Sequence, residues 1–172
     1  MTAHIQYPAL DSTTFVSVNG KTMIKPATMS RAIITDILRG ELNYQGVVVT
    51  DALDMAGISN FFTPTQAVIN TFSAGADIAL MPVEIRTPDD LNKLDDLIKE
   101  LVAAVKSNQL DEQEVAQSAM RIITLKNKFR LSTNFDPITA LINAKQTIGS
   151  AAHREIEAQL AVEAITQVKN NN

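Results

Sequence analysis

Gly46-Val47-Val48-Val49-Thr50-Asp51-Ala52-Leu53-Asp54-Met55 is the stretch that decides the fold class. Three consecutive valines after a glycine read as a short strand buried on both faces, as in a parallel sheet covered by helices. The strand runs straight into a carboxylate. In parallel α/β folds, active sites are built at the carboxyl ends of strands, where loops vary while the sheet holds them rigidly. Asp51 therefore has two readings. It is a catalytic group at a strand end, or a cap for the backbone N–H groups of a following turn or helix. Spacing alone leaves both open.

On the amino-terminal side, residues 1–6 read as a first strand ended by Tyr7-Pro8, since proline cannot donate to a ladder. His4 falls near its carboxyl end, where a lone histidine is either a hydrogen-bonded structural residue or a functional one. Asp11 to Ala27 is polar, with a turn at Asn19-Gly20 and a breaker at Pro26, and reads as a long loop bordering a site. Ser30 can cap a helix whose Ile33, Ile34, Ile37, Leu38 and Leu42 share one face.

On the carboxyl side, Thr63-Pro64-Thr65-Gln66 is a capping box with proline at the first helical position, predicting a helix from Pro64 to about Ala74 that stops at Gly75. Residues 77–82 give a third apolar strand. Thr87-Pro88-Asp89-Asp90 opens a helix with Leu91, Leu94, Ile98, Leu101 and Val105 on one stripe. Asp111 and Glu114 form a capping pair before a helix with Val115, Ala119, Ile122 and Phe129 on one side. Its Arg121, Lys126 and Lys128 read as a solvated basic end. Residues 132–137 read as a linker, 138–146 and 151–168 as further helices, and Lys169–Asn172 as a fraying tail. The order is strand, helix, strand, helix, strand, helix, helix. It predicts an α/β chain with about three right-handed parallel βα units followed by carboxyl-terminal helices.

Composition narrows the chemistry. At 172 residues, 45% hydrophobic, the chain can build a sizeable core, and 5% aromatic content without Trp makes that core aliphatic. A net charge of −4 without dense Lys/Arg runs argues against a nucleic-acid surface. Cysteine is absent, which removes thiolate chemistry and disulfides. No apolar run reaches the roughly 18 residues of a membrane span. There is no G-x-G-x-x-G, no Walker segment and no G-x-S-x-G elbow. His4 and His153 lack metal-ligand spacing, so no metal or other cofactor is implied. Carboxylate chemistry remains, since an Asp at a strand end can be a nucleophile towards a sugar C1 or a phosphorus where the fold keeps it ionised and aimed. A phospho-acceptor receiver domain also places an Asp after a buried Val-rich strand. It needs an acidic pair after the first strand to hold Mg²⁺, and Gln6-Tyr7-Pro8 supplies none.

The decapeptide 46–55 resembles the G-[VI]-[VI]-[VI]-[ST]-D-x-[LM]-x-M signature of family 3 glycoside hydrolases, and is most similar to their β-N-acetylhexosaminidase branch. The resemblance extends along the chain. Met1–Pro8 is similar to the family's sixth barrel strand, Pro26-Ala27-Thr28-Met29-Ser30 to its P-A-T-[LM]-S helix start, and Ala74–Pro82 to its eighth strand. Arg121–Lys126 is similar to the R-I-[LI]-x-L-K helix after the barrel, and Ala161–Asn170 to the start of a second domain. The resemblance implies part of a (β/α)8 TIM-type barrel over 1–131 and a helical linker over 132–172, leading towards a second domain that is absent. It implies a retaining mechanism on a carbohydrate substrate with Asp51 as nucleophile. His4 and Met55 match positions near the sugar. For Met55, core filling by a flexible thioether is the competing reading, and Asp54 reads as a helix cap.

The departures matter as much. The branch carries its general acid/base as a His–Asp dyad in a K-H-[FILV]-P-G loop after the fifth strand, and no such motif is present. His153 lies in the bridge and does not fill that role. The chain thus reads as the carboxyl-terminal three-eighths of a barrel, beginning in the middle of something larger. Its open edges and apolar inner face call for the missing half-barrel or for self-association, and very little hydrolysis is expected from it alone. A non-catalytic barrel fragment is the third reading. The sugar and the compartment stay open, although two-domain relatives of the branch are often exported.

Overall fold

The computed structural model describes residues 1–131 and 136–166. The chain divides into two compact units, Met1–Leu131 and Ser132–Asn172.

In the first unit the three expected strands do not form assigned strands. Residues near 2, 49 and 78 run instead as extended segments side by side, joined by a few backbone hydrogen bonds. Thr2 donates to the Val49 carbonyl at 2.9 Å and accepts from the Asp51 N–H at 3.1 Å. Ile78 donates to Val48 at 3.1 Å and accepts from Thr50 at 3.0 Å, giving an isolated parallel bridge between Val49 and Ile78. These are the slanted bonds of parallel pairing, but each pair makes too few to count as a ladder. The sheet that does form lies in the stretch expected to be loop. β1 (Thr14–Val16) and β2 (Thr22–Ile24) pair antiparallel about the Asn19-Gly20 turn, with Phe15 opposite Met23. Their β-branched and aromatic residues favour extended pairing, a signal that the polarity of the segment masked.

Ala27–Met29 forms a short 3₁₀ turn, and Ala32–Glu41 a helix wound with π geometry, Leu42 N–H reaching the Ile37 carbonyl at 2.8 Å. Ile34 is its buried residue, while Leu42 is exposed. α1 (Ala56–Ser59) is a single turn. α2 (Pro64–Ser73) starts with the capping box intact, Thr63 Oγ1 accepting from Gln66 N at 3.2 Å and Gln66 Oε1 accepting from Thr63 N at 3.1 Å. Gly75 follows at φ +101°, where a Cβ would collide with Thr35 Oγ1, so this stop has to be glycine.

A 3₁₀ turn at Pro88–Asp90 leads into α3 (Leu91–Lys106). Here the buried residues are Leu97 and Ala104, whereas Leu91 and Ile98 of the expected stripe are exposed. The sequence has apolar residues on two adjacent faces, and the one chosen packs with α2. The largest core cluster joins Met29, Leu53, Ile58, Phe62, Ala67, Val68 and Leu97. Phe15 of the hairpin stacks on Phe62 with ring centroids 4.3 Å apart, so the hairpin is pinned over the loop that follows Asp51.

α4 (Glu112–Lys128) is capped by Asp111, which accepts from Glu114 N at 3.0 Å. Glu114 turns away from that cap and pairs with Arg31 at 2.6 Å. Arg121, expected in a solvated basic end, is drawn inward to Asp77, whose side chain is wholly buried. Asp77 Oδ1 accepts from Arg121 Nε and Ser118 Oγ, each at 2.8 Å. Its Oδ2 accepts from Arg39 and from the Val48 N–H, each at 2.7 Å. Burial alone would raise the Asp77 pKa. The Val48 N–H, the Ser118 hydroxyl, Arg121 and the charge of Arg39 outweigh it and hold the carboxyl below its ordinary value.

The second unit holds α5 (Pro137–Thr147) and α6 (Ala151–Glu163), capped by Asp136 and Ser150. Pro137 opens α5 rather than closing a linker. Residues 132–135 of the expected linker, the last two residues of the expected helix 151–168 and the tail lie outside the described residues.

Asp77→Asn leaves two guanidinium groups facing a neutral amide, and is expected to lower stability by about 3–5 kcal/mol, read by urea denaturation at neutral pH. Because the folded-state pKa of Asp77 lies below the unfolded value of about 3.9, its contribution is complete above that value and is lost as pH falls through the folded one. The variant should therefore lack that part of the parent's acid sensitivity. Equal stability of the two proteins at neutral pH would contradict this account.

Candidate active site

Asp51 lies at the carboxyl end of the middle of the three parallel segments. Its side chain is half-buried, and Oδ1 accepts from the N–H of Ala52 at 2.8 Å. The next helix, α1, starts only at Ala56, with Met55 as its N-cap residue and no side-chain cap bond. Neither Asp51 nor Asp54 therefore caps that helix. Asp51 instead bonds within its own loop, and Asp54 is exposed. Leu53, at 3% exposure, anchors the loop in the core, and its N–H reaches the Leu80 carbonyl at 2.9 Å. Thr50, fully buried, accepts from the Leu80 N–H at 2.9 Å. The nucleophile candidate thus sits on backbone fixed from both sides.

His4 comes from the first segment and reaches this loop. Its Nε2 lies 2.9 Å from the Ala52 carbonyl, and its Nδ1 lies 2.9 Å from Thr28 Oγ1. A carbonyl can only accept, so Nε2 carries a proton. Met55 belongs to the same turn, its N–H donating to Ala52 O at 3.3 Å. Its side chain is 48% exposed, so it does not fill the core. Asp51, His4 and Met55 are thus brought to one loop through Ala52. His153 lies in the second unit, exposed, near the start of α6. A cleft of about 300 Å³ nearby has Leu53, Asp54, Phe62, Pro82, Glu84 and Lys93 on its walls.

Sequence reasoning missed Thr28 and Asp11, and read Ser30 only as the helix cap that it is. Thr28 and Ser30 sit in the Pro26–Ser30 segment read only as a helix start. Both are fully buried, and a buried hydroxyl needs a partner. Ser30 Oγ accepts from Ile33 N at 3.2 Å and donates to Asp11 Oδ2 in a short bond, while Asp11 Oδ1 accepts from Thr13 N at 2.9 Å. This ties the start of the hairpin loop to the start of the π-wound helix. The Ser30 hydroxyl, with Thr13 and Lys25 assisting, holds the Asp11 carboxyl below its ordinary pKa. The signal lay in an Asp after Tyr7-Pro8 and a Ser 19 residues later, a distance no local motif spans.

Among the described residues, no group of three or more His, Cys, Asp or Glu side chains could hold a metal ion, and no helix is long and apolar enough to cross a membrane.

Residues 1–125 match the family model described as "Glycosyl hydrolase family 3 N terminal domain". The chain belongs to this family and forms part of its N-terminal, TIM-barrel domain. It is 50% identical over 171 residues to "Beta-hexosaminidase A" of Pseudoalteromonas piscicida, an alignment covering 99% of this chain and 28% of that protein. Among solved structures it is similar to a glycoside hydrolase family 3 beta-N-acetylglucosaminidase from Paenibacillus sp. str. FPU-7. That match has a TM-score of 0.61 and 32% identity, over 75% of this chain and 22% of the other. It is also similar to "Beta-glucoside phosphorylase BglX", with a TM-score of 0.74 and 26% identity over 100% of this chain and 29% of the other. The chain thus spans less than a third of these proteins, and the receiver-like reading falls with the family assignment.

Ser30→Ala should cost about 1–2 kcal/mol through the lost cap and the unpartnered Asp11, read as a lowered melting temperature. The Asp11 carboxyl should move up towards its ordinary value in an NMR titration. An unmoved Asp11 would show that the Ser30 hydroxyl is not what holds it down.

Proposed function

We propose that this member of glycosyl hydrolase family 3 supplies the nucleophile-bearing part of a (β/α)8 barrel that cleaves terminal β-linked N-acetylhexosamine. The observation that carries the reading is the place of Asp51, at the carboxyl end of a parallel segment, half-buried, on a loop fixed by backbone bonds. The likeness to a beta-hexosaminidase and to a beta-N-acetylglucosaminidase supports the sugar class. One Asp51 oxygen attacks the anomeric carbon while the glycosidic oxygen leaves with a proton from an acid. Water then attacks the glycosyl ester, and its proton returns to that acid, now a base.

Retaining chemistry needs the second catalytic group about 5 Å from the nucleophile. We assign it to the remaining βα units of the barrel, not to this chain. Those units would also cover Ile5, Tyr7, Leu80 and Met81, which stand exposed at the three parallel segments. Met55, exposed on the Asp51 loop, would contact the sugar's apolar face. The 172 residues alone should hydrolyse N-acetylglucosaminides negligibly.

The test completes the barrel with the missing units and treats it with a 5-fluoro N-acetylglucosaminyl fluoride, which traps glycosyl-enzymes. Mass spectrometry should place the label on the peptide containing Asp51, and Asp51→Ala should abolish both label and turnover. A label on another carboxylate would sink the assignment. Product analysis with and without inorganic phosphate separates release of free sugar from release of a sugar phosphate, the chemistry named for the phosphorylase relative.

A further inference from the structure

We infer that His4 is a positioning residue for Asp51, acting through Ala52 and braced from behind by Thr28. The inference rests on Asp51 being the nucleophile.

Ala52 is held by both of its backbone polar groups. Its N–H donates to Asp51 Oδ1 at 2.8 Å, which sets the rotation of the carboxylate. Its carbonyl accepts from His4 Nε2 at 2.9 Å and from Met55 N at 3.3 Å. The orientation of one residue therefore couples the carboxylate to the imidazole. The imidazole is itself immobilised, with Nδ1 lying 2.9 Å from Thr28 Oγ1. Thr28 is fully buried, and its hydroxyl also meets Thr2 Oγ1 at 3.2 Å and the Ala3 carbonyl at 3.0 Å. Thr2 in turn accepts the Asp51 N–H at 3.1 Å. Asp51, Ala52, His4, Thr28 and Thr2 form a closed loop of hydrogen bonds around the candidate nucleophile.

This arrangement separates two roles for a histidine beside a sugar. A ligand to a sugar hydroxyl needs a free ring nitrogen facing the substrate. Here both nitrogens face protein partners, and turning the ring outward would strip the Ala52 carbonyl of one donor and the buried Thr28 hydroxyl of a partner. Holding the attacking oxygen in place is where such a clamp would act, because misplacement of about 1 Å costs about 100-fold in rate.

The experiment uses the completed barrel and compares His4→Gln with His4→Asn. A glutamine amide nitrogen occupies the place of Nε2 and can still donate to Ala52. An asparagine nitrogen ends near the place of Nδ1 and reaches only Thr28. His4→Gln should keep the rate of Asp51 labelling within about tenfold, while His4→Asn should lower labelling and kcat about 100-fold with KM little changed. Should His4→Asn not fold, Thr28→Val unbraces the ring and carries the same expectation for kcat. Equal rates for Gln and Asn, or a raised KM with kcat unchanged, would overturn the inference while the label stays on Asp51. A label that maps elsewhere in the parent protein fails the nucleophile reading itself, and the positioning role with it.

Discussion

The first unit depends on one buried carboxylate. Asp77 takes hydrogen bonds from the backbone of the neighbouring Val48, from Arg39 on the π-wound helix, and from Ser118 and Arg121 on α4. A buried charge is tolerable only when its lone pairs are filled by well-placed donors. Satisfying Asp77 forces three elements to converge on the start of the third parallel segment. The Val48 bond then fixes the register between that segment and the one carrying Asp51. Parallel pairing this sparse would not choose a register unaided, because a one-residue slip turns every side chain to the opposite face.

The two acidic groups of the parallel pair are thus divided by their place along it. Asp77 lies where the third segment enters, pinned by two guanidinium groups and shut off from solvent. Asp51 lies where the middle segment leaves, half-buried, its Oδ1 accepting from the Ala52 N–H. The first carboxylate is consumed by structure, and the second is the one to which the nucleophile's role is proposed. The same residue type does both because strands bring stability to one end of a parallel arrangement and variable loops to the other.

The family and the start of α2 were legible because they rest on contiguous signals, a Val-rich run ending in Asp51 and the capping box at Thr63 and Gln66. Contacts between residues distant in sequence were not. Arg121 looked like a solvated cation at a helix end until Asp77 appeared 44 positions away. Ser30 and Thr28 looked like a helix start until Asp11 and His4 claimed their hydroxyls. The hairpin at Thr14–Ile24 was hidden for another reason. Its pairing is local, but its polar outward positions disguised two short strands as a loop, and only the Phe15–Phe62 stack shows which face matters. In α3 the period was right and the buried face was shifted, since periodicity fixes a helix but the partner fixes its rotation.

The three parallel segments are themselves only partly joined and partly covered. Each is held to its neighbour by only a few bonds, and apolar side chains such as Ile5 and Leu80 remain exposed beside them. All-parallel sheets are stable when both faces are covered, and a barrel is the arrangement that leaves no edge. Against α1 and α2 a core does form, with Leu53, Ile58 and Val68 enclosed, while Ile98 of α3 and Met120 of α4 stay exposed. Ile5, Leu80 and Met81 beside the parallel segments lack cover as well. Within the barrel reading proposed above, the missing cover and the proton donor would come from the same further βα units, so closing the barrel and completing the site would be one event.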